Sequence, residues 1–568
     1  MLLLKNMLYL CGMFVMTKKR DNGKVTIQVV ETVRKGDKVY QKTLRTIATV
    51  FAEEVDRFVA IAEHIKTEME HERVPKLFPV QALTEMVISS RNRSIGDESP
   101  LSVNLRSMRE ESRIVTGIHE IYGSLYDTIG FNRVFKSCRV SGSVMKDIVM
   151  ARIARPCSKR SSVELLERDF GISIPLEKIY RMLDTLSEKK INHLQDICWQ
   201  HSKELFAEEI KVMFYDCTTL YFESFTEDEL RRFGYSKDHK FNQGQVLLAL
   251  MVTKEGLPVG YDVFPGNMYE GSTFKQAIEK IKVRYKVKRA VIVADSGLLS
   301  KENIDLLEKE NLKFILGARL RSLSEQWQDK ILDNTDYLKK EKDDEVLRIA
   351  TYSYSKRRRL IVTHSTKRAE KDRKDREKSV EKLRLKLEKS KNPQSLISNF
   401  GYKKYLTVDG DVQVRINEEK LEQQAMWDGL HGIFTNISES EMKAEEILSQ
   451  YHGLWQVEES FRISKHDLRV RPVFHWSAKR IKAHIAVCFV AFSLIRFLQY
   501  QIKHKIAENF SAERIREELY RVQESILKNK VDDNKYVVPS KPSKDAIKIY
   551  EAVNKKRHVV PFMLTTGV

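Results

Sequence analysis

The sequence predicts a modular α/β protein. Three strand-like segments lie between residues 210 and 264, a helical segment follows over 272–285, and the apolar run 290–294 comes next. A run that is apolar throughout is typical of a strand buried on both faces of a sheet. Three antiparallel-type strands, a helix and a buried fourth strand are the element order of a ribonuclease-H-like core. At 568 residues the chain is also too long for one compact core, so we expect several units.

The N-terminal part is predicted to be a small module that contains a β-hairpin. Residues 24–48 alternate between apolar and polar side chains on both sides of the turn Lys35-Gly36-Asp37. Residues 50–69 have helical periodicity, and the polar stretch 89–100 is typical of a linker. The apolar run within residues 1–16 is too short to span a bilayer, so we expect a disordered or strand-like leader there.

Residues 104–206 are predicted to form a helical block. Within it, two short helical segments flank the break Gly171-Ile172-Ser173, and Pro175 stands at the first turn of the second segment. The pattern fits a helix-turn-helix and an ordinary helical hairpin equally well. In a helix-turn-helix, the second helix would offer basic side chains to DNA. These side chains are Lys178 and Arg181, preceded by Lys159 and Arg160.

The charge balance favours an anionic partner. Lys and Arg number 99 against 79 Asp and Glu, which gives a formal net charge of +20 and a pI near 9.4. Basic side chains that neutralise phosphates release counterions, so double-stranded DNA is the first candidate partner and an anionic membrane surface the second. The six cysteines are scattered and show no zinc-finger spacing, which is typical of reduced thiols in a cytoplasmic protein. We therefore expect a cytoplasmic, nucleoid-associated location and no membrane contact.

A long segment interrupts the predicted core between residues 319 and 450. It contains the charged stretch 367–391, in which 12 basic and 6 acidic residues accompany a narrow apolar stripe. A plain surface helix is favoured for this stretch over a DNA contact. The apolar helix predicted over 481–500 has polar interruptions, so packing under a sheet explains it better than a membrane span.

The predicted domains are an N-terminal module (1–103), a helical DNA-binding block (104–206), the first part of the core (207–318), an insertion (319–449), the second part of the core (450–503) and a helical C-terminal tail (504–568).

Three carboxylates are the strongest candidates for chemistry. Asp216 closes the strand-like segment IKVMFYD, Asp295 closes RAVIVAD, and Glu458 lies in the helical stretch YHGLWQVEESFRISK. Mg²⁺ prefers oxygen ligands, commonly one or two carboxylates for each ion, so three convergent acids can hold two ions. Two such ions activate the attacking oxygen and stabilise the leaving oxygen when a phosphodiester is cut. The sequence therefore predicts a DNA-processing enzyme with two Mg²⁺ ions, for which Mn²⁺ can substitute.

The stretch around Glu458 also carries residues suited to phosphates. Tyr451, Glu458 and Lys465 are seven residues apart and would share one face of a continuous helix, with Arg462 one turn from Glu458. Glu459 is the rival third ligand, but helix geometry turns it about 100° away from that face. Basic residues that follow the helix are further candidates for contact with the DNA backbone: Arg469, Arg471 and His475.

The same stretch carries a family resemblance. Tyr451-x2-Leu454-x3-Glu458-x6-Lys465 is similar to the Y-x2-R-x3-E-x6-K signature of insertion-sequence DDE transposases. Five further segments resemble other blocks of that family in the same order: YDCTTLYFES, GYSKDHKFNQGQ, PGNMYEGSTF, VADSGLLSKEN and ESFRISKHDLRVRPVFHW. The resemblance covers residues 16–500. Leu454 stands where the signature has Arg, and Arg462 is our candidate to supply the missing phosphate contact.

The resemblance implies a function and a set of roles. Asp216, Asp295 and Glu458 would be the catalytic triad that binds Mg²⁺. Tyr451 and Lys465 would contact phosphates at the transposon end, and the segment 319–449 would be a β-rich insertion domain. The protein would bind the terminal inverted repeats of its element, cleave the DNA and join the freed 3′ ends to target DNA as a synaptic homodimer. The family implies a cut-and-paste route, with or without a hairpin intermediate.

Two other functions fit parts of the sequence. A non-catalytic DNA-binding or regulatory protein derived from such an enzyme would need none of the three acids, yet all three are present. A two-carboxylate glycosidase explains neither the net charge nor the helix around Glu458. For Asn267 and Glu270 we favour a turn over an approach to DNA. For Trp427-Asp428-Gly429 we favour a strand end or turn over a fourth metal ligand, and for Trp455 we favour a core position. Trp455 is also an aromatic side chain on which a base could stack.

Overall fold

The computed structural model describes residues 13–20, 23–35, 38–71, 103–136, 138–205, 212–235, 242–287, 290–333, 338–342, 345–389, 405–409 and 413–564. The chain divides into two compact units, Met1–Asn92 and Arg93–Val568. Each unit has a sheet and a hydrophobic core of its own.

The first unit is a three-stranded antiparallel sheet with one helix. Its elements are β1 (Met13–Lys19), β2 (Val25–Lys35), β3 (Lys38–Val50) and α1 (Val55–His71). β2 and β3 form the antiparallel pair that the sequence predicts, with Lys35 opposite Lys38. Ile27, Val29 and Ala62 are fully buried in its core. β1 begins inside the expected leader, and the predicted linker 89–100 lies outside the described residues.

In the described residues of the second unit, a strand precedes a group of packed helices. These elements are β4 (Met108–Val115), α2 (Ser124–Ile129), α3 (Arg139–Ala154), α4 (Lys159–Phe170), α5 (Leu176–Thr185) and α6 (Glu188–Leu205). The prediction of an entirely helical block from residue 104 is therefore wrong at its start. β4 is a strand because it pairs antiparallel with a strand near the C-terminus, a partner that its local sequence does not reveal.

α4 and α5 are the two short helices that the sequence predicts around Gly171. Gly171 ends α4 with φ +67°, a left-handed conformation that suits glycine. Pro175 immediately precedes α5, where its missing N–H removes no helical hydrogen bond. Ile179, Met182 and Leu183 are the buried side chains of α5 and join the core.

A large mixed sheet forms the centre of the second unit. Its first elements are β5 (Val212–Tyr221), β6 (Gln245–Thr253), β7 (Pro258–Pro265), α7 (Glu270–Glu279), β8 (Val291–Ala294), α8 (Lys301–Lys309) and β9 (Lys313–Ala318). β5, β6 and β7 are antiparallel neighbours, whereas β8 and then β9 run parallel to β5 on its other side. α7 begins at Glu270, two residues before the predicted start at 272, and the Thr273 hydroxyl donates to the Glu270 carbonyl.

The segment that follows β9 extends this sheet. Its elements are α9 (Glu325–Leu332), β10 (Leu338–Lys342), β11 (Glu345–Ser355), β12 (Arg358–Ser365), α10 (Thr366–Lys389), β13 (Leu406–Asp409), β14 (Gln413–Ile416), α11 (Glu418–Ala425) and β15 (Leu430–Thr435). β15 pairs with β9, and nine strands lie in the order β10-β11-β12-β15-β9-β8-β5-β6-β7. α10 is the charged stretch, and Val380 and Leu383 are its buried residues, as the narrow apolar stripe predicts.

The remaining elements pack on the core and then build a second sheet. They are α12 (Ala444–His452), α13 (Trp455–Arg462), α14 (Ala478–Ile506), α15 (Ala512–Tyr520), β16 (Gln523–Asn529), β17 (Lys535–Pro539), α16 (Lys544–Ala552) and β18 (Phe562–Leu564). The prediction of a helical tail from residue 504 is wrong, since three of its strands join β4 in the order β18-β17-β16-β4. This sheet connects the two ends of the second unit.

α14 is long and apolar enough to cross a membrane by length and composition, the one such helix in the described ranges. However, 89% of its most apolar window is buried inside the protein. It contacts helices α3, α5 and α6 and strand β7. This is the burial of a core helix.

Candidate active site

Asp216 lies on β5, and Asp295 directly follows β8, the adjacent parallel strand. The last pair in the register of β5 and β8 is Tyr215 with Ala294, and the next residue of each segment is an aspartate. Neighbouring strands are about 4.8 Å apart, so the two aspartates follow a pair of close backbone positions. The prediction that Asp216 closes its strand is wrong, because β5 continues to Tyr221 through its pairing with β6.

A neighbouring backbone N–H holds each aspartate. The Cys217 N–H donates to Oδ1 of Asp216 at 2.7 Å, and the Ser296 N–H donates to Oδ1 of Asp295 at 2.6 Å. Asp295 is also the N-cap of the short 3-10 helix that follows β8. These bonds fix the orientation of both carboxylates.

Tyr451 connects Asp295 to the helices that follow β15. It is only 9% exposed near the end of α12, and its hydroxyl donates to Oδ1 of Asp295 at 3.4 Å. Burial and then the Asp295 carboxylate raise the pKa of Tyr451, and Glu458 acts in the same direction. The hydroxyl fits because residue 317 is glycine, where a Cβ would lie 2.5 Å from the Tyr451 oxygen. The structure thus turns this hydroxyl toward Asp295, and contact of Tyr451 with a phosphate at the transposon end stays a prediction.

Glu458 is exposed on α13, the helix that contacts β5 and β6. Close packing here requires Gly453, since a Cβ at that position would overlap the Phe214 ring. The charges of Glu458 and Asp295 both act on Tyr451, so these three side chains share one region. Within the described ranges, no group of three or more His, Cys, Asp or Glu side chains is arranged to hold a metal ion. Asp216, Asp295 and Glu458 are therefore not already arranged as a complete set of metal ligands.

The helix predicted around Glu458 is not continuous. α12 and α13 are separate, and Lys465 lies in a π-helical turn after α13. At the junction, hydrogen bonds join residues three apart, as from the Leu454 N–H to the Tyr451 carbonyl at 3.0 Å, which winds the chain more tightly than an α-helix. The prediction that Tyr451, Glu458 and Lys465 share one helical face is therefore wrong.

Arg462 binds carboxylates of its own segment. Its Nε and Nη2 donate to the two carboxylate oxygens of Glu459 at 2.6 and 2.7 Å, and its Nη1 lies 3.4 Å from Asp467. The hydrogen bonds with Glu459 raise the pKa of Arg462 above its ordinary value. Because Glu459 already accepts hydrogen bonds from the Arg462 guanidinium, Arg462 is poorly placed to bind a phosphate in place of the signature arginine that Leu454 replaces. The same pair weakens Glu459 as a rival to Glu458, since both its oxygens already accept hydrogen bonds.

The basic residues after α13 differ in exposure. Arg469 is exposed and has φ +44°, while Lys465 and Arg471 are partly buried. The Arg471 guanidinium lies 5.4 Å from the centre of the Tyr221 ring, and burial lowers the pKa of Arg471. Contact of these three residues with DNA stays a prediction.

On α5, Arg181 is exposed and Lys178 is partly exposed. Their side chains therefore stand outside the core, and DNA contact stays a prediction for both. Lys159 is different, because it is buried at the start of α4 with Nζ 3.3 Å from Nδ1 of His484. Burial lowers the pKa of Lys159 to about 7. The expectation that Lys159 faces DNA is wrong.

Glu270 lies nearer the aspartates than its turn-like sequence context indicated. Burial raises the pKa of the Cys217 thiol to about 12, and the carboxylates of Asp216 and Glu270 both add to this rise. A Cβ at Gly297 would lie 3.3 Å from Oε2 of Glu270. Glu270 therefore stands between β5 and the turn after β8.

The structure also shows the positions of Trp455 and Trp427. Trp455 is 56% exposed at the start of α13, so its expected core position is wrong. Trp427 is buried, and the turn that it begins ends at Gly429 with φ +79°. Asp428 in that turn forms a salt bridge with Arg376, which agrees with the structural interpretation.

A cleft of about 670 Å³ opens beside Asp295. Residues after β9 and residues of α10 contribute to its lining, including Arg319 and Arg368. We name it the Asp295 cleft. No sequence signal distinguished these two arginines from the many other basic residues of the chain.

Comparison with known proteins identifies the central domain. A family model described as a transposase DDE domain matches residues 208–494, slightly more than half of the chain. No curated protein sequence matches the chain. A cryo-EM structure of the piggyBac transposase synaptic complex with hairpin DNA is similar over 72% of this chain and 77% of that chain, at 10% identity and a TM-score of 0.37. A crystal structure of the Mos1 mariner paired end complex with Mn is similar over 45% and 72%, at 12% identity and a TM-score of 0.13. From the family match, this chain belongs to the transposase DDE domain family.

Proposed function

We propose that this protein is the transposase of an insertion sequence, which binds the terminal inverted repeats, cleaves the DNA there and joins the 3′ ends to a target. One observation carries the proposal: Asp216 and Asp295 each follow the last residue pair of β5 and β8, two adjacent parallel strands within the matched domain. Two carboxylates that follow neighbouring strand positions suit metal-dependent phosphodiester chemistry.

The order of the central strands supports a ribonuclease-H-like core. Three antiparallel strands, β5 to β7, are followed by β8 and β9, which lie parallel beside β5. In this proposal the segment 319–449 is the insertion, and four of its strands lengthen the core sheet.

Asp216, Asp295 and Glu458 are the proposed ligands for two Mg²⁺ ions, with Mn²⁺ as a substitute. The donors fit by their chemistry, because Mg²⁺ prefers carboxylate oxygens and usually keeps several water ligands, so it does not require a closed set of protein ligands. When bound, such ions activate the attacking oxygen and stabilise the leaving oxygen.

Other residues of the chain prepare this centre. Tyr451 donates to Asp295 from the side of α12 and so restricts the rotation of its carboxylate. Arg462 engages Glu459, which leaves Glu458 as the exposed acid of α13 without that competitor. These contacts support Glu458 as the third catalytic acid.

We also propose how the protein meets DNA. The net charge of +20 suits a phosphate-rich partner. α5, with Lys178 and Arg181, would contact the inverted repeat, while Lys465, Arg469 and Arg471 would contact the backbone near the acids. Trp455 offers an exposed ring on which a base can stack. The synaptic complex would be a homodimer, and the protein would act in the cytoplasm at the nucleoid.

A non-catalytic DNA-binding protein derived from a transposase is the second candidate. It is favoured by one finding. In the described part of the chain, no three or more His, Cys, Asp or Glu side chains are already grouped so that they could hold a metal ion. Such a protein would bind the element ends without cutting them.

A cleavage assay separates the two candidates. Duplexes that carry the sequences flanking the gene are incubated with the protein and Mg²⁺. We expect wild-type protein to cut them, and Asp216→Asn, Asp295→Asn and Glu458→Gln each to lower the rate by about a hundredfold or more. Glu446→Gln is the matched control, because it removes an exposed acid of α12 and should leave the rate unchanged.

Cleavage at the wild-type rate by the three acid variants would refute the proposed centre. Binding of the element ends by wild-type protein without cleavage would favour the second candidate.

A further inference from the structure

Two arginines of the Asp295 cleft have no role in the function proposed above. Arg319 follows β9 directly, and Arg368 lies in the first turn of α10. Both side chains are exposed and both line the cleft together with Asp295. Elements far apart in the sequence therefore bring these two cations to one cleft with Asp295, which Arg321, Arg376, Asp372, Asp375 and Asp428 also line.

These arginines retain hydrogen-bond donors for a ligand. Among the described residues, Arg319 has no ion-pair partner, and Arg368 has one, Asp372, at 3.8 Å from its Nε. At that distance the pair is not a hydrogen bond, so the guanidinium donors of Arg368 remain available. Arg376 in the same cleft differs, because it is committed to a salt bridge with Asp428.

The charge of Arg368 acts on the residues that surround Asp295. Burial and then the charge of Arg368 lower the pKa of His431 to about 4. His431 lines the same cleft as Arg368, and its ring lies 5.0 Å from the Tyr451 ring, whose hydroxyl donates to Asp295.

The size of the cleft limits what it can accept. Its volume of about 670 Å³ is within the range of small-ligand pockets, roughly 300–1,000 Å³. A duplex is wider than its major groove, which is itself about 12 Å across, so it would lie over the mouth of a pocket of this volume instead of entering it. One strand can enter, and guanidinium groups bind phosphate oxygens with paired hydrogen bonds.

Resting on the proposed function, we infer that the Asp295 cleft binds the phosphates of an unpaired DNA strand beside the reacting bond, through Arg319 and Arg368. In this arrangement the reacting bond lies at the Asp295 end of the cleft. The two arginines bind phosphates of the strand as it leads away from Asp295. This assigns to the insertion helix α10 a direct part in holding substrate.

The test measures binding without cleavage. Full-length protein is titrated with fluorescent oligothymidylate, and separately with a fluorescent duplex of random sequence, in EDTA at several salt concentrations. Each single-strand phosphate contact contributes about 0.7 to the slope of log affinity against log salt. Arg319→Gln and Arg368→Gln should each lower the oligothymidylate slope by about that amount and weaken binding about tenfold.

Three controls accompany these variants. Arg373→Gln removes an exposed cation of α10 that does not line the cleft, and it should leave the slope unchanged. Arg319→Lys and Arg368→Lys keep the positive charge and should retain most of the slope. Duplex affinity should be the same in wild-type protein and in both Gln variants.

A wild-type slope in both Gln variants would overturn the inference, as would an equal loss with Arg373→Gln or a loss confined to the duplex. Failure of the proposed function is distinguishable, because it appears as absent cleavage in the acid-variant assay whatever the single-strand slope.

Discussion

The hydroxyl of Tyr451 donates to Oδ1 of Asp295 across 3.4 Å, from a site where residue 317 has no side chain. This contact joins the end of α12 to the loop after β8, two segments distant in sequence. It gives Tyr451 a positioning role toward a carboxylate, and this role can be tested by removing a single oxygen atom.

Tyr451→Phe should raise the Mg²⁺ concentration needed for half-maximal cleavage and lower the cleavage rate about tenfold, because losing the partner of a metal ligand weakens metal binding by about 10–100-fold. The free energy of unfolding should change by only about 1 kcal/mol. Cleavage rates across a Mg²⁺ titration check the effect. An unchanged Mg²⁺ dependence would show that Tyr451 does not position Asp295.

Gly317→Ala should destabilise the protein by about 1–3 kcal/mol, because overpacking forces neighbours to shift. The added Cβ would lie 2.5 Å from the Tyr451 oxygen and 2.8 Å from the Ser296 backbone nitrogen. Combining it with Tyr451→Phe should recover part of the loss, since only the first overlap disappears. Urea unfolding of the single and double variants measures this coupling, and strictly additive changes would contradict it.

Arg462→Gln should leave the salt dependence of DNA binding unchanged, because Arg462 is occupied by Glu459. Its side chain is 46% exposed, so losing the pair should cost about 1 kcal/mol or less of unfolding free energy. Titration with DNA at several salt concentrations provides the check. A slope reduced as far as in Arg368→Gln would restore Arg462 as a phosphate contact.

Lys159 should make stability rise with pH above about 7. Burial lowers the pKa of Lys159 from 10.5 to about 7 in the folded protein, so between these values the unfolded chain binds more protons. The unfolding free energy therefore increases as pH rises through this window, while below it the full cost of burying the charge remains. Lys159→Met removes this contribution, so urea unfolding across the window should show a smaller increase with pH in the variant. Parallel curves for the two proteins would be the contrary result.

The sequence located the first strands of the matched DDE domain well. The apolar run before Asp295 is a buried strand because both its faces are covered, and this is visible in composition alone. The position of Asp216 on the neighbouring strand could be anticipated only in part, since the extension of β5 beyond it depends on β6. Short-range patterns therefore found the residues, while strand pairing determined their exact setting.

Long-range contacts explain what sequence patterns missed. β4 is a strand only through its pairing with β16, from the other end of the unit. The break between α12 and α13 lies where Gly453 packs closely on Phe214, a contact that periodicity does not reveal. Arg368 is one of 12 basic residues in the charged stretch, and only the fold shows that it faces Asp295.

The most direct test of the central claim is a crystal structure of the protein grown with Mn²⁺ and DNA, with anomalous scattering used to locate the metal. We predict anomalous peaks about 2.0–2.2 Å from carboxylate oxygens of Asp216 and Asp295, with Glu458 turned toward the same ions. Anomalous peaks bound elsewhere, or the two aspartates without metal while Mn²⁺ occupies another site, would contradict the claim.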